Sequence, residues 1–354
     1  MDKDLTKELR ERVLTAIKAG TPLEIRGSGS KRFLGRAPAG ETLDVSGHAG
    51  IVNYHPKELV ITARCGTGLA TIESALAEQG QMLPFEPPHF GPGATIGGTI
   101  ACGLSGPARP YAGSARDLVL GTRVLTGRGQ VLRFGGEVMK NVAGYDLSRL
   151  MTGAFGTLGL LLDVSLKVMP IPAAERTLVH EHPETEAIRR MNVWAGTPLP
   201  ITATCYDGER LFVRFAGAET AVAQAAQAIG GETVEDQPDF WRAQVREQGH
   251  GFFAGNAPLW RLSLPSATPN LALSGRPFIE WGGAQRWYRG ELESDAVRKV
   301  ASEAGGHATL FRGGDRNAEV VQPTTPALMA IHHKLKQAFD PDGLFNPGRL
   351  YAAL

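Results

Sequence analysis

The sequence predicts an α+β fold in two domains, and three observations carry that prediction. Residues 1–172 hold 26 glycines and no tryptophan, whereas residues 173–354 hold 18 glycines and all five tryptophans, Trp194, Trp241, Trp260, Trp281 and Trp287. Between them, Met169-Pro170-Ile171-Pro172 reads as a junction, because paired prolines remove backbone donors and hold the chain extended. In both parts, period-two apolar runs bounded by glycine turns are mixed with helix-period segments, as antiparallel α+β domains require. A length of 354 residues, at roughly 100–200 residues per domain, agrees with about two domains.

The first region opens with a predicted helix over 3–19, whose Leu5, Leu9, Val13, Leu14 and Ile17 share a face and which Gly20 ends. A short strand follows over 22–25, and a second over 60–65. A helix is expected over 70–78, with Gly80 as its stop. Asp117 to Leu125 and Gln130 to Phe134 flank Thr126-Gly127-Arg128-Gly129, a hairpin signal. The apolar run 159–168 reads as a long strand with Asp163, Ser165 and Lys167 turned outward.

In the second region, 201–206 and 210–215 flank Asp207-Gly208 as a hairpin, and 219–229 is an Ala-rich helix. Strand 260–264 precedes a hairpin over 278–288 turning at Gly282-Gly283. A helix over 295–304 and a strand over 307–312 complete the α+β unit. No sequence repeat stands out. The domain boundaries read from this pattern are 1–172, 173–322 and a C-terminal segment 323–354 that returns to the first domain.

Composition narrows the function. The chain is 42% hydrophobic and 21% charged, with 37 Lys+Arg against 36 Asp+Glu, so no global field draws it to nucleic acid or an anionic membrane. Cys65, Cys102 and Cys205 are dispersed, which excludes a disulfide framework, a zinc ribbon and an iron–sulfur cluster of its own. The mixed-charge N-terminus lacks an apolar signal core, and no stretch reaches the roughly 18 apolar residues of a membrane span. A cytoplasmic protein is expected, with membrane association only peripheral.

Among the 44 glycines, four glycine-centred blocks stand out. Arg26-Gly27-Ser28-Gly29-Ser30-Lys31 follows a strand and reads either as a surface turn or as an anion-cradling loop with flanking positive charge. It lacks the P-loop spacer and the last glycine of G-x-G-x-x-G. The stretch 91–106 holds six glycines in sixteen residues, which reads as too dense for a helix or ladder. It is either a tortuous internal loop or, as the composition favours, backbone laid against a large planar ligand. The remaining blocks are 111–121 and Gly153-Ala154-Phe155-Gly156-Thr157-Leu158-Gly159.

In order and spacing these blocks resemble the PCMH-type (vanillyl-alcohol-oxidase-like) FAD-binding domain. Four further segments look like the family of FAD-binding E subunits of glycolate oxidase (glycolate dehydrogenase): 81–88 (QMLPFEPP), 140–147 (KNVAGYDL), 281–287 (WGGAQRW) and 339–349 (FDPDGLFNPGR). The resemblance covers nearly the whole chain. It implies a two-subdomain FAD domain carrying a small α+β cap. In that reading Arg26, Gly27, Ser28, Gly29, Ser30 and Lys31 hold the FAD pyrophosphate, while Thr95, Gly97 and Gly98 line flavin and phosphates. Cys102, Gly103, Leu104 and Ser105 continue that wall, although Cys102 reads equally as a small buried filler. Gly156, Thr157, Leu158, Gly159, Leu160 and Leu161 approach the adenine side, and Asn346 returns from the C-terminus.

Two departures matter. Covalent relatives carry a flavin-linking His in the first loop, and neither Ser30 nor Lys31 can replace it, so non-covalent FAD is expected. Hydroxy-acid dehydrogenases of the superfamily are similar in gathering metal and substrate with paired His and Glu. After residue 250 only His307, His332 and His333 remain, without an H-x-H or H-E-x-x-H spacing among them, so no metal is expected. His332 and His333 read as a solvated or interface helix. Glu280 and His307 are the candidates for a general base. Arg261 and Arg286, with Arg289 and Arg312, are candidates for binding a carboxylate or are structural ion pairs.

The resemblance implies an FAD-dependent oxidoreductase subunit that oxidises glycolate, a 2-hydroxy acid, to glyoxylate. Its implied partners are a homologous FAD-containing subunit and an iron–sulfur subunit that carries electrons away. A self-sufficient 2-hydroxy-acid dehydrogenase and a non-catalytic flavin scaffold are the alternatives.

Overall fold

The computed structural model describes residues 2–136, 146–235 and 237–354. The chain forms two compact units. Met1–Leu104, Ser114–Ile171 and Arg316–Leu354 make the first, and Ser105–Gly113 with Pro172–Asp315 make the second. The chain passes between units at the proline junction, but two boundaries differ from expectation. The return to the first unit comes at Arg316, not at 323, because Arg316 bonds the carbonyl of Gly35 and Ala37 donates to the carbonyl of Arg316 at 2.8 Å. Ser105–Gly113 belongs to the second unit. There the Trp281 indole donates to the Gly106 carbonyl at 3.0 Å, and the Arg109 guanidinium stacks 4.5 Å over the Trp281 ring.

In the first unit the strands are, in chain order, β1 (Leu23–Arg26), β2 (Glu41–Asp44), β3 (Ile51–His55), β4 (Val60–Arg64), β5 (Gln81–Met82), β6 (Val119–Leu125), β7 (Val131–Gly135), β8 (Leu160–Lys167) and β9 (Met169–Pro170). β1 and β2 pair in parallel, and β3-β4-β8-β6-β7 form an antiparallel sheet. The N-terminal helix Thr6–Ala19 ends at Gly20 in the left-handed conformation. It buries Leu9, Val13 and Ala16 against Leu125, Leu160, Leu162 and Phe345. Each such Leu or Val removed from water contributes about 1.5–3 kcal/mol.

β8 is the middle strand, and its Asp163 and Ser165 are not turned outward. Asp163 forms an ion pair with Arg123 at 2.8 Å, and Ser165 shares a hydrogen bond with Thr62 at 2.8 Å. Both faces of this strand are covered, so alternating polarity here marks a buried polar row rather than a solvent face. The glycine-dense block also departs from expectation, because Ile96–Cys102 is a helix. Thr95 caps it by accepting from the Gly98 amide, and Gly103 closes it in the left-handed conformation. Residues 117 and 118 belong to a short helix, Ala115–Leu118, started by a capping box between Ser114 and Asp117.

The second unit holds β10 (Ala174–Glu181), β11 (Ile201–Tyr206), β12 (Arg210–Gly217), β13 (Glu232–Thr233), β14 (Leu259–Ser263), β15 (Phe278–Glu280), β16 (Gln285–Arg289) and β17 (His307–Arg312). They form one antiparallel sheet ordered β13-β10-β12-β11-β15-β16-β14-β17. No sequence repeat stands out, yet the topology repeats. β10 to β13, with helices Glu184–Ala195 and Glu219–Ile229, make a β-α-β-β-α-β motif of strand order 4-1-3-2. β14 to β17, with helix Ser294–Glu303, follow the mirrored order, without a helix after the first strand. The halves meet where Cys205 of β11 pairs with Glu280 of β15.

Period-two alternation sorts the side chains of this sheet into two faces. Leu178, Leu211, Val213, Phe215 and Ile279 pack on the helices Glu184–Ala195 and Glu219–Ile229. The opposite face carries Phe212, Cys205, Glu280, Trp287 and Arg261. It is partly covered by the π-helical turn Phe240–Arg246 and by Phe253, whose ring lies 5.7 Å from Trp287. No helix among the described residues is long and apolar enough to cross a membrane.

Candidate functional site

In the first unit β1 runs directly into the loop Gly27–Lys31, which forms one wall of a cavity. A Cβ on Gly27 would lie 2.5 Å from the Thr95 hydroxyl, so only glycine lets this loop reach the start of helix Ile96–Cys102. Gly29 has φ +79°, a conformation that admits little else. Gly97 and Gly98 divide two tasks. A Cβ on Gly97 would meet the Cys65 side chain at 2.5 Å, whereas one on Gly98 meets only Thr95 Oγ1, at 3.2 Å, and otherwise opens on the cavity. The third wall is Phe155, Gly156 and the start of β8, and the fourth comes from the C-terminus. There Asn346 accepts from the Ile25 amide at 2.8 Å and donates to the Phe155 carbonyl at 2.6 Å.

These residues fit FAD on features of the chain itself. The Arg26 guanidinium has no hydrogen-bond acceptor among the described residues, and neither have the amides of Ser28 and Gly29. Together they present donors and positive charge where a pyrophosphate would sit. Lys31 is buried, with Nζ on the His89 carbonyl at 3.2 Å. Burial pushes the Cys102 thiol up to about 11, so it stands in the wall as a neutral thiol, the small-filler reading. Flavin, when bound, supplies the redox chemistry, and these residues supply position and electrostatics.

Of the residues expected here, Arg26, Gly27, Ser28, Gly29, Ser30, Lys31, Thr95, Gly97, Gly98, Cys102, Gly156, Gly159, Leu160, Leu161 and Asn346 line the cavity together. Gly103, Leu104, Ser105, Thr157 and Leu158 do not. Gly103 ends the helix against Gly153, and Leu104 is buried. Ser105 lies in the second unit. Thr157 accepts from buried Lys336 through its carbonyl, and Leu158 sits in the sheet core. Sequence reasoning missed Arg349, Cys65, Phe155 and the Glu24–Arg32 pair, in which Arg32 holds Glu24 below its ordinary carboxyl value. Arg349 bonds the carbonyls of Arg32 and Arg36, fixing the cavity loop; its signal was the FNPGR segment. Residues 140–145 of the KNVAGYDL segment lie outside the described residues, and Asp146 caps the helix Leu147–Leu150.

In the second unit Glu280, Arg261 and His307 share one sheet face, set by the registers Cys205–Glu280, Arg261–Thr309 and Ser263–His307. Burial raises the Glu280 carboxyl to about 7, against hydrogen bonds from Trp287 and Gln285 and the charge of Arg261. Burial draws Arg261 down to about 10, and burial with the Arg261 charge lowers His307. Arg286 is different. It lies on the helix side of the sheet, fully buried, and donates to the carbonyls of Gly283, Thr268 and Pro269. Its fork is spent on backbone, so Arg286 is a structural arginine and not a substrate ligand. Arg289 donates to the Phe252 carbonyl, and Arg312 to Gln248. On helix Pro326–Phe339 the His332 ring packs 5.8 Å from Tyr351, and His333 is exposed. An H-x-H spacing does exist earlier, at His180-Glu181-His182, where the two rings stack at 5.8 Å. Among the described residues no three His, Cys, Asp or Glu side chains gather as a metal site.

Comparison with known proteins places the chain among FAD-dependent oxidoreductases with a PCMH-type flavin domain. Residues 5–135 match the family described as FAD binding domain, and residues 287–350 match the C-terminal domain of FAD linked oxidases. The solved 4-ethylphenol oxidase from Gulosibacter chungangensis superposes with TM-score 0.72 at 15% identity, over 98% of this chain and 88% of that one. An alkyldihydroxyacetonephosphate synthase does so at 0.68 and 15%, over 97% and 76%. The chain is 53% identical to the glycolate oxidase subunit GlcE of Escherichia coli (strain K12) over 351 residues, 99% of each chain. It belongs to that family of FAD-binding glycolate oxidase subunits. A glycolate oxidase subunit GlcD of Bacillus subtilis (strain 168) is 30% identical over 212 residues, 59% of this chain and 45% of that one.

Proposed function

We propose that the chain is the FAD-containing E-type subunit of a multi-subunit complex that oxidises glycolate to glyoxylate. The observation that carries this reading is the 53% identity to a glycolate oxidase subunit over 99% of both chains, cavity loop and second unit included. Its partners are a homologous FAD-containing subunit, of the kind to which the chain is 30% identical, and an iron–sulfur subunit. Cys65, Cys102 and Cys205 are dispersed and free, so single electrons leave through clusters on another chain. The complex is cytoplasmic, and any membrane contact is peripheral and made through the partners.

The test is reconstitution. Glycolate-driven dye reduction should be absent or slight with the purified chain and appear when the partner subunits are added. Full turnover by the chain alone would instead make it a self-sufficient dehydrogenase, a reading that the Arg261–Glu280 arrangement favours. Flavin that glycolate does not reduce even in the assembled complex would leave only a scaffold.

FAD is held without a covalent bond. Ser30 occupies the loop position of the linking residue, and neither its hydroxyl nor the Lys31 amine supports that linkage. Acid or heat denaturation should release all flavin to the supernatant. Flavin fluorescence migrating with the denatured chain on a gel would reject this.

A further inference from the structure

The second unit contains a cationic side chain whose placement its own fold does not explain. Arg261 lies in β14, two positions into a five-residue strand at the middle of one half-sheet. A half-buried arginine of this kind normally finds carbonyls or a carboxylate for its fork, as Arg286 and Arg349 do. Among the described residues Arg261 makes no hydrogen bond or ion pair. Its guanidinium lies over the Phe311 ring, 5.6 Å from the ring centre. That ring, with Trp287 at 4.8 Å from it, forms an aromatic floor that orients the fork without using its donors.

On the same sheet face, across β16, stands a carboxyl group held in an asymmetric way. Trp287 donates to Glu280 Oε2 at 2.6 Å and Gln285 donates to the same oxygen at 3.0 Å. Oε1 has no donor among the described residues. Two donors from β16 thus fix the rotamer and leave one oxygen for something else. The fork and this oxygen lie on the same sheet face, and each feels the other's charge.

Building on the glycolate-oxidising reading above, we infer that Arg261 and Glu280 of this chain form a binding site for a small 2-hydroxy acid, with Arg261 holding the carboxylate and Glu280 Oε1 hydrogen-bonding the α-hydroxyl. The chemistry fits the occupant. A planar five-donor fork matches a carboxylate, and a lone oxygen alongside matches one hydroxyl. Such a site discriminates by group, since an analogue missing either function leaves a desolvated polar partner unpaired.

Charge gives the site a signature. The groups facing Glu280 are Arg261 from β14, Trp287 and Gln285 from β16, and Cys205 from β11; Arg109 and His307 face Arg261. When Glu280 loses its proton, a negative charge appears next to the anion on Arg261. Affinity for glycolate should therefore fall as pH rises through about 7, the value to which burial raises Glu280.

The experiment is titration of the FAD-loaded full chain under anaerobic conditions, following Trp fluorescence and heat. Glycolate, acetate (no hydroxyl) and glycolamide (no charge) are the probes. Glycolate should bind at least tenfold more tightly than either analogue. Arg261→Lys should weaken it about tenfold and Arg261→Gln abolish it, with flavin content unchanged in both. Glu280→Gln should bind glycolate as tightly as the unaltered chain does at pH 6 and lose the fall between pH 6 and 8. His307→Gln should keep that fall. Equal binding by Arg261→Gln and the unaltered chain, or an unaltered pH profile in Glu280→Gln, overturns the inference. So does no binding to the unaltered chain; if the complex then still oxidises glycolate, the functional reading stands without it. Binding with these signatures in a chain whose complex leaves glycolate unoxidised would instead retain the site and reject that reading.

Discussion

Asp340→Ala lowers the stability of the first unit by about 3–5 kcal/mol, the usual cost of stripping one partner from a buried ion pair. Asp340 is fully buried and Lys336, one turn earlier on the same helix, is 8% exposed. The ammonium donates to Asp340 Oδ2 at 2.7 Å, to the Thr157 carbonyl at 2.7 Å and to the Phe345 carbonyl at 2.9 Å, so all three of its protons are used. The carboxylate also accepts the amides of Leu344 at 3.0 Å and Phe345 at 2.8 Å. Alanine leaves a buried charge uncompensated and two amides without acceptors. The consequence reaches the cofactor site. This knot turns the chain out of helix Pro326–Phe339 into the segment where Asn346 and Arg349 brace the cavity walls. Urea unfolding followed by tryptophan-independent far-UV circular dichroism and flavin release should shift together. A change of less than about 1 kcal/mol, or full flavin retention with an undocked tail, would show that the knot is incidental.

Much of this architecture is legible in the sequence, and the failures have physical causes. Helix Glu219–Ile229 and strand His307–Arg312 stand at their expected bounds, because an Ala-rich helical period and a short alternating run bounded by Gly306 and Gly313 leave little competition. Helix Ile96–Cys102 was illegible because its glycines oppose helix propensity. What overrides propensity is tertiary contact, since Gly97 must lie flat on Cys65. Asp163 and Ser165 read as solvent-facing since alternation shows two faces but not what covers them. At Asp163 the N-terminal segment does so, through Asp4 and Thr6 reaching its partner Arg123, while Ser165 bonds Thr62 of β4.

The candidate site divides in the same manner. Glycine blocks announce backbone that must approach something closely, so the cavity loops were readable as a set. Arginines carry no such mark. Arg261 pairs in register with Trp287, which places Arg286 on the reverse face of the sheet. Pairing register is a product of long-range assembly, and a slip of one residue would have exchanged their roles. Ser105 failed for a related reason: a motif continues through it in sequence while the chain crosses to the other unit.

Gly97→Val abolishes the folded flavin unit, whereas Gly98→Val spares the fold and removes the flavin. At Gly97 a Cβ would lie 2.5 Å from the Cys65 Cβ and 2.7 Å from the Cys65 carbonyl oxygen, which already accepts the Gly97 amide at 2.8 Å. Neither neighbour can yield, because Cys65 follows β4 and its own amide is bonded to Leu162 of β8 at 2.7 Å. Even Gly97→Ala should cost the 1–3 kcal/mol or more typical of overpacking. Gly98 faces the other way. An added Cβ meets only Thr95 Oγ1 at 3.2 Å before the cavity opens. Alanine there removes the helix penalty of glycine, about 1 kcal/mol, so the flavin-free Gly98→Ala chain should be as stable as the unaltered one or more so. Its FAD affinity should nonetheless drop, and that of Gly98→Val should drop further, because the methyl groups occupy ligand space. Measured together, flavin stoichiometry and flavin-free stability must move in opposite directions across the Gly98 series and in the same direction across the Gly97 series. Soluble Gly98→Val with full flavin content would remove Gly98 from the cofactor wall and reduce this helix to a packing element.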